Sequence, residues 1–238
     1  MLTGRQKGSV LGIVGGMGPR ASAEFLSTIY EYCLGAREQD APRIFLDSDP
    51  TFPDRTEALL AHADEDLIGQ LMRALERLRG FGVSHIVICC ITIHYLLPRI
   101  PVELRQHVVS LLDVIFRAVA HSRKRHLLFC TKGTRQLELF QSHRQWQQTR
   151  DFFVLPDTRD QESIHDLIYE IKRGCDVRPM ISFLEELLGR YQVNSLIIGC
   201  TETHILAKQF ATAQRRINAF SCIDPLVIIA RALAQESL

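Results

Sequence analysis

No apolar run in this sequence reaches the ~18 residues a membrane-crossing helix needs; the longest, residues 86–91, has the length of a strand. Charge of one sign is also missing. Lys and Arg number 28 against 27 Asp and Glu, a formal net charge of +1, whereas nucleic-acid binders carry a clear basic excess. The one basic cluster, Arg123 to Arg125 between two histidines, is expected to finish a helix, where cations complement exposed carbonyls. No cysteine pair has C-x-x-C or zinc-knuckle spacing. The seven thiols, Cys33, Cys89, Cys90, Cys130, Cys175, Cys200 and Cys222, are odd in number and scattered, so neither a disulfide framework nor a metal site is expected. Reduced thiols point to the cytoplasm. The first nine residues are polar and carry no secretory leader pattern. No low-complexity linker divides the 238 residues, which suffice for one large domain or two of about 110–120 residues each. These absences leave a globular protein without a membrane, nucleic-acid or metal partner.

What is present is a repeat. VSHIVICC (83–90) aligns without a gap to VNSLIIGC (193–200), an offset of 110, and His94 and His204 each follow their cysteine by four residues. LERLRG (75–80) corresponds to LEELLG (184–189), and SLLD (110–113) to SCID (221–224), each one residue out of register. The half-openings agree in kind: an apolar run leads into GGMG (15–18) in one and into TKGT (131–134) in the other. Two similar halves follow.

Each half alternates short apolar runs with stretches of helical period, the pattern of parallel strands joined by crossover helices. The runs predict strands at 10–14, 44–47, 83–90 and 108–111, then 127–130, 152–155, 196–200 and 219–222. Helices are expected at 19–34, 63–79, 164–172, 178–189 and 225–234. Pro19 fits a first helical position, and Asp224-Pro225 reads as a cap followed by that position. The expected fold is α/β, with two pseudo-symmetric lobes. Each holds a parallel four-stranded sheet flanked by helices, with an active-site cleft between them.

Ligands of open parallel sheets bind beyond the carboxyl ends of the strands. Cys90 and Cys200 both stand there, and each is followed within two residues by Thr or Glu. The positive end of a following helix favours a thiolate. The other five cysteines read as core or loop residues. Two thiols approaching one ligand from symmetric lobes suit proton removal on one face and proton return on the other. The reaction would be racemisation or epimerisation beside a carboxylate, with no cofactor required.

Several segments carry a resemblance to a known family: GIVGGMGPRASAEF (12–25), LDSDPTFPDRT (46–56), CCITIHYL (89–96), TKGT (131–134), IYEIKRG (168–174), GCTE (199–202) and IDP (223–225). In that order they resemble the cofactor-independent aspartate/glutamate racemase family over nearly the whole chain. The resemblance implies Cys90 and Cys200 as the acid/base pair and Arg55 as the anchor of a substrate carboxylate. It implies Lys172 as a further positive charge, with Met17, Thr92, Thr131 and Thr201 lining the pocket around a small amino-acid substrate. A homodimer is implied as well. So is a last helix crossing back, giving lobes of 1–103 plus 216–238 and 104–215.

A guanidinium suits that role because it binds a carboxylate through two parallel hydrogen bonds. Glu202 follows Cys200 closely enough to tune its thiol or contact substrate, while His94 and His204 are expected to be satisfied buried histidines. The chain departs from the family where Ile91 and Asp49 stand in place of Asn. The substrate side chain is therefore open, with aspartate or glutamate the leading expectation. Three rival readings remain. Gly16-Met-Gly18-Pro-Arg-Ala21 fits a dinucleotide fingerprint, with Asp47 as the ribose acid. A two-lobed carboxylate sensor would use the same cleft without turnover. A maleate or hydantoin isomerase would use the same cysteines.

Overall fold

The computed structural model describes residues 10–213 and 221–235, with side chains of 210–213 left aside. The leader reading of residues 1–9 and the first half of the expected 219–222 strand lie outside the described residues. Strands β1 (Leu11–Gly15), β2 (Ile44–Ser48) and β3 (His85–Ile88) form one parallel sheet in the order β2-β1-β3. Strands β4 (His126–Cys130), β5 (Phe153–Val154), β6 (Ser195–Gly199) and β7 (Ser221–Ile223) form a second parallel sheet, ordered β5-β4-β6-β7. The repeat is thus a repeat of topology: the first strand of each half pairs with the third, Val14 opposite Ile88 and Cys130 opposite Gly199.

Among the described residues the first sheet has three strands, not the four expected. Beyond β3 only a single parallel bridge forms, between Ile86 and Val108. Ser110 ends it: its hydroxyl accepts the Asp113 N–H at 3.1 Å and starts a helix at Leu111. A cap two residues after the bridge leaves no extended chain to add to the sheet.

The helices in the first half are α1 (Pro19–Cys33), α2 (Arg55–Leu60), α3 (Glu65–Gly80) and the short α4 (Val102–Arg105). A 3₁₀ stretch, Thr92–Arg99, follows Cys90. Then come α5 (Leu111–Ser122), α6 (Lys132–Gln136), α7 (Trp146–Thr149), α8 (Thr158–Lys172), α9 (Met180–Arg190), α10 (Thr203–Ala213) and α11 (Pro225–Ala234). The basic cluster does finish a helix, with Arg123 in the left-handed region at φ 51° as the C-cap of α5. Helix α8 begins six residues before its expected start, since the Asp157 carboxylate accepts the Asp160 N–H at 2.8 Å. Helix α2 falls where the sequence suggests a loop, and α5 begins at Leu111, the last residue of the expected 108–111 strand.

Amphipathic spacing sets what each helix buries. Ala21, Phe25 and Ile29 make one face of α1, and Leu67, Leu71, Ala74, Leu75 and Leu78 one face of α3. One core cluster joins the lobes: Leu11, Ile13 and Val87 of the first sheet pack with Leu128, Cys130 and Ile197 of the second. Helix α11 packs on α1 and α5, while β7 just before it stays in the second sheet. The molecule is therefore two sheets on a shared apolar wall, with the carboxyl ends of β1, β3, β4 and β6 meeting beyond it.

Candidate active site

Cys90 lies two residues past β3 and Cys200 one past β6, each 6% exposed. A charge on Cys90 disfavours one on Cys200, Lys172 and Glu202 act electrostatically on both thiols, and Arg55 acts on Cys90. Cys90 packs at the edge of the first lobe's apolar core and Cys200 at the edge of the second's, and the same Lys172 and Glu202 act on both.

Arg55, 8% exposed, opens α2 beside Cys90. Its Nη2 donates to the Met17 carbonyl at 2.7 Å and its Nη1 to that of Pro53 at 3.0 Å, while its buried Nε has no partner. Burial works against its charge, but Cys90, Asp54 and Glu202 around it hold it more firmly protonated than usual. Asp54 caps α2 by accepting the Thr56 and Glu57 N–H groups at 2.8 and 3.1 Å. Its second oxygen accepts the Tyr169 hydroxyl at 2.8 Å and faces Lys172 Nζ at 3.5 Å. Lys172 lies over the Tyr169 ring, 3.9 Å from its centroid. Lys172 therefore reaches the cluster already paired across the lobes.

On the Cys200 side, Sγ donates to Glu202 Oε2 at 2.8 Å. The hydroxyl of Thr201 donates to the Cys89 carbonyl at 3.0 Å and ties the GCTE turn to the first lobe. Burial raises both thiols. For Cys90 the neighbouring Arg55 counteracts it, and the Ile93 N–H points at the sulfur. For Cys200 the adjacent Glu202 adds to it, so its thiol is pushed well above the ordinary range. Thr92, from the first lobe, meets Thr131 and Thr134 from the second at 3.3 and 2.8 Å, a buried group of three hydroxyls. Gly133 brings this group against α2, for a Cβ there would stand 2.7 Å from Thr56 Oγ1.

The structure thus brings Met17, Arg55, Cys90, Lys172, Cys200, Thr201 and Glu202 together, and sets Thr92 and Thr131 at the seam nearby. Asp54, Tyr169 and Thr134 belong to the same neighbourhood and escaped the sequence reading. Thr134 had a signal, three residues from Thr131 on one helical turn; Asp54 and Tyr169 had none beyond their place in quoted segments. The two departures face elsewhere. Ile91 is buried in the shared core, and Asp49 folds back on its own loop, accepting the Thr51 N–H and hydroxyl.

Both histidines are satisfied and buried. Leu111 N–H donates to His94 Nε2 at 3.2 Å, which leaves Nδ1–H to donate to the Cys90 carbonyl at 2.9 Å. His204 bridges Asp224 and Thr28 at 2.6 and 2.8 Å. The glycines of the G-x-G-x-x-A segment have intramolecular reasons. Gly16, at φ +89°, passes against the Asp49 backbone, and Gly18 passes against Glu202. Asp47, the candidate ribose acid, pairs with Arg77 at 2.7 Å. No cluster of metal-ligating side chains occurs among the described residues.

Relatives share this arrangement of lobes. An aspartate racemase from Picrophilus torridus superimposes with a TM-score of 0.81 over 97% of this chain and 94% of its own, at 23% identity. A glutamate racemase from Campylobacter jejuni gives a TM-score of 0.59 over 95% of this chain and 85% of its own, at 18% identity. In sequence, the broad-specificity amino-acid racemase RacX of Bacillus subtilis is 20% identical over 90% of this chain and 94% of its own. The match to the Asp/Glu/hydantoin racemase family runs through residues 14–233, taking in both cysteines and the groups around them, and the chain is a member of that family of isomerases.

Proposed function

We propose that the protein is a cofactor-independent amino-acid racemase in which Cys90 and Cys200 exchange protons with opposite faces of Cα. One observation carries the reading. Two cysteines related by the internal repeat share one buried cluster with a guanidinium that has a free N–H. Arg55 takes the α-carboxylate through that N–H and its neighbours, which places Cα between the sulfurs and spreads the charge that develops there. One thiolate removes the proton as the other thiol returns one, so the stereocentre inverts without a cofactor. Thr92, Thr131, Thr201 and Met17 line the site, and Glu202 borders it. Lys172 supplies a second positive charge, which keeps aspartate or glutamate the leading substrates. The lobes are 1–103 plus 216–238, and 104–215. The packing of α11 on α1 supports placing the terminal helix with the first lobe, while β7 pairs with β6 in the second sheet. The working form is a homodimer in the cytoplasm.

The test is a panel of L- and D-amino acids, with maleate and a hydantoin added, incubated with the protein alone. Loss of optical rotation is expected for an acidic amino acid, with deuterium from solvent at Cα. Cys90→Ser and Cys200→Ser should each abolish racemisation. Exchange confined to one enantiomer is the expected residue of a site with one base left. A wild-type protein that exchanges nothing in the panel refutes the reading.

A further inference from the structure

We propose that Glu202 holds Cys200 as the protonated member of the thiol pair, that Gly18 is the residue that lets it do so, and that the resting enzyme is therefore one-handed, with Cys90 as base. This rests on the two-thiol reading above and adds which sulfur keeps the proton.

The Cys200 thiol donates to Glu202 Oε2 at 2.8 Å. Glu202 is only 3% exposed, and its other oxygen, Oε1, has no hydrogen-bond partner. A desolvated carboxylate short of donors holds firmly to the one it has, here the thiol proton, since the Thr201 hydroxyl donates to the Cys89 carbonyl. Oε1 occupies the space a side chain at position 18 would need, since a Cβ on Gly18 would stand 2.2 Å from it. The glycine loop of the first lobe and the GCTE turn of the second are thus fitted to each other, and Gly18 is a positioning residue for Glu202.

Cys90 has the opposite surroundings. Arg55 is fixed beside it by the carbonyls of Met17 and Pro53, and the Ile93 N–H faces its sulfur. The charged groups facing the pair are Arg55, Lys172 and Glu202. Lys172 acts on both thiols and chiefly on Cys200, where it works against Glu202, whose direct hydrogen bond to the sulfur comes first. Arg55 favours a thiolate at Cys90, and Glu202 disfavours one at Cys200. In the favoured direction the Cys90 thiolate forms an S–H bond with the Cα proton, and the C–H electron pair spreads into the adjoining carboxylate. The Cys200 S–H bond then breaks to protonate the opposite face, leaving Cys200 as thiolate. After product leaves, Cys90 gives a proton to water and Cys200 takes one back.

A racemisation has a unit equilibrium constant, which obliges equal kcat/KM for the two enantiomers, so the asymmetry must be read on the thiols. The experiment alkylates substrate-free protein with iodoacetamide from neutral to alkaline pH and quantifies each cysteine by mass spectrometry. The pH midpoint reports ionisation regardless of reagent access. Cys90 is expected to titrate at lower pH than Cys200. Glu202→Gln and, separately, Gly18→Ala should bring the Cys200 midpoint down by about one unit and speed its neutral-pH alkylation about tenfold. Coincident midpoints in the wild type overturn the proposal. So does a Cys200 rate unchanged in both variants. The wild-type titration stands by itself if a variant does not fold. Coincident thiols in a protein that racemises refute only this proposal; staggered thiols in one that racemises nothing refute only the racemase reading.

Discussion

At the scale of single residues, the site spends stability on function. Arg55 is a buried cation with an unpartnered Nε, and Glu202 a buried anion with an unpartnered Oε1. Such groups persist where a ligand completes them. Arg55→Lys keeps the charge and loses the planar fork, so kcat/KM should fall about tenfold or more in the racemisation assay. His94 makes a separate prediction. Burial lowers its pKa from 6.5 to about 4, and its hydrogen bonds require the neutral ring. The unfolded chain therefore binds the extra proton first. Stability is fully present above the unfolded pKa and is lost as pH falls from about 6.5 towards 4, by roughly 3 kcal/mol for this one group. Thermal unfolding at neutral and mildly acid pH should show that loss, and a His94→Gln variant should lose less. His126, held between Ser122 and Ser195 and also lowered to about 4, acts in the same direction.

At the scale of elements, caps decided what periodicity left open. The run at 108–111 reads as a strand because Val, Val and Leu are good strand formers. The Ser110 side chain instead closes the first turn of α5, and a capped helix of twelve residues with a buried apolar face outweighs two more ladder bonds. Ser110→Ala should cost about 1 kcal/mol in urea unfolding. Asp157 moves the start of α8 forward in the same way. Asp54 caps α2 and also reaches Tyr169 and Lys172, so one carboxylate both builds the helix carrying Arg55 and ties it to the other lobe. The terminal helix was readable to the residue, since Asp224-Pro225 marks its start in sequence and in space.

At the scale of the whole molecule, the cluster lies at the seam of the lobes. Both cysteines, Arg55, Thr92, Thr131, Thr201 and Glu202 are all buried, with Lys172 and Asp54 part-exposed beside them, and substrate entry is expected to require the lobes to part. The shared core joins the lobes on one side, and polar ties join them at the site: Asp54 to Tyr169 and Lys172, and Arg20 Nη1 to the Ile171 carbonyl at 3.1 Å. Tyr169→Phe removes one tie without touching a thiol. The closed form should be less populated, with KM raised about two- to tenfold, the worth of one hydrogen bond, and with little change in saturating rate. A fall in kcat with unchanged KM would place the tyrosine in the chemistry instead.

Much of this was written locally. The repeat, the alternation of strand and helix periods, and the placing of two cysteines at equivalent strand ends follow from spacing along the chain, because helix and strand periods act over a few residues. The unequal partners of those cysteines do not. Glu202 meets Gly18, Arg55 is gripped by Met17, and Tyr169 reaches Asp54 over spans that no period links. Equivalent positions in two halves came to differ chemically because packing, acting between residues as many as 184 apart in sequence, set which charge stands beside which sulfur.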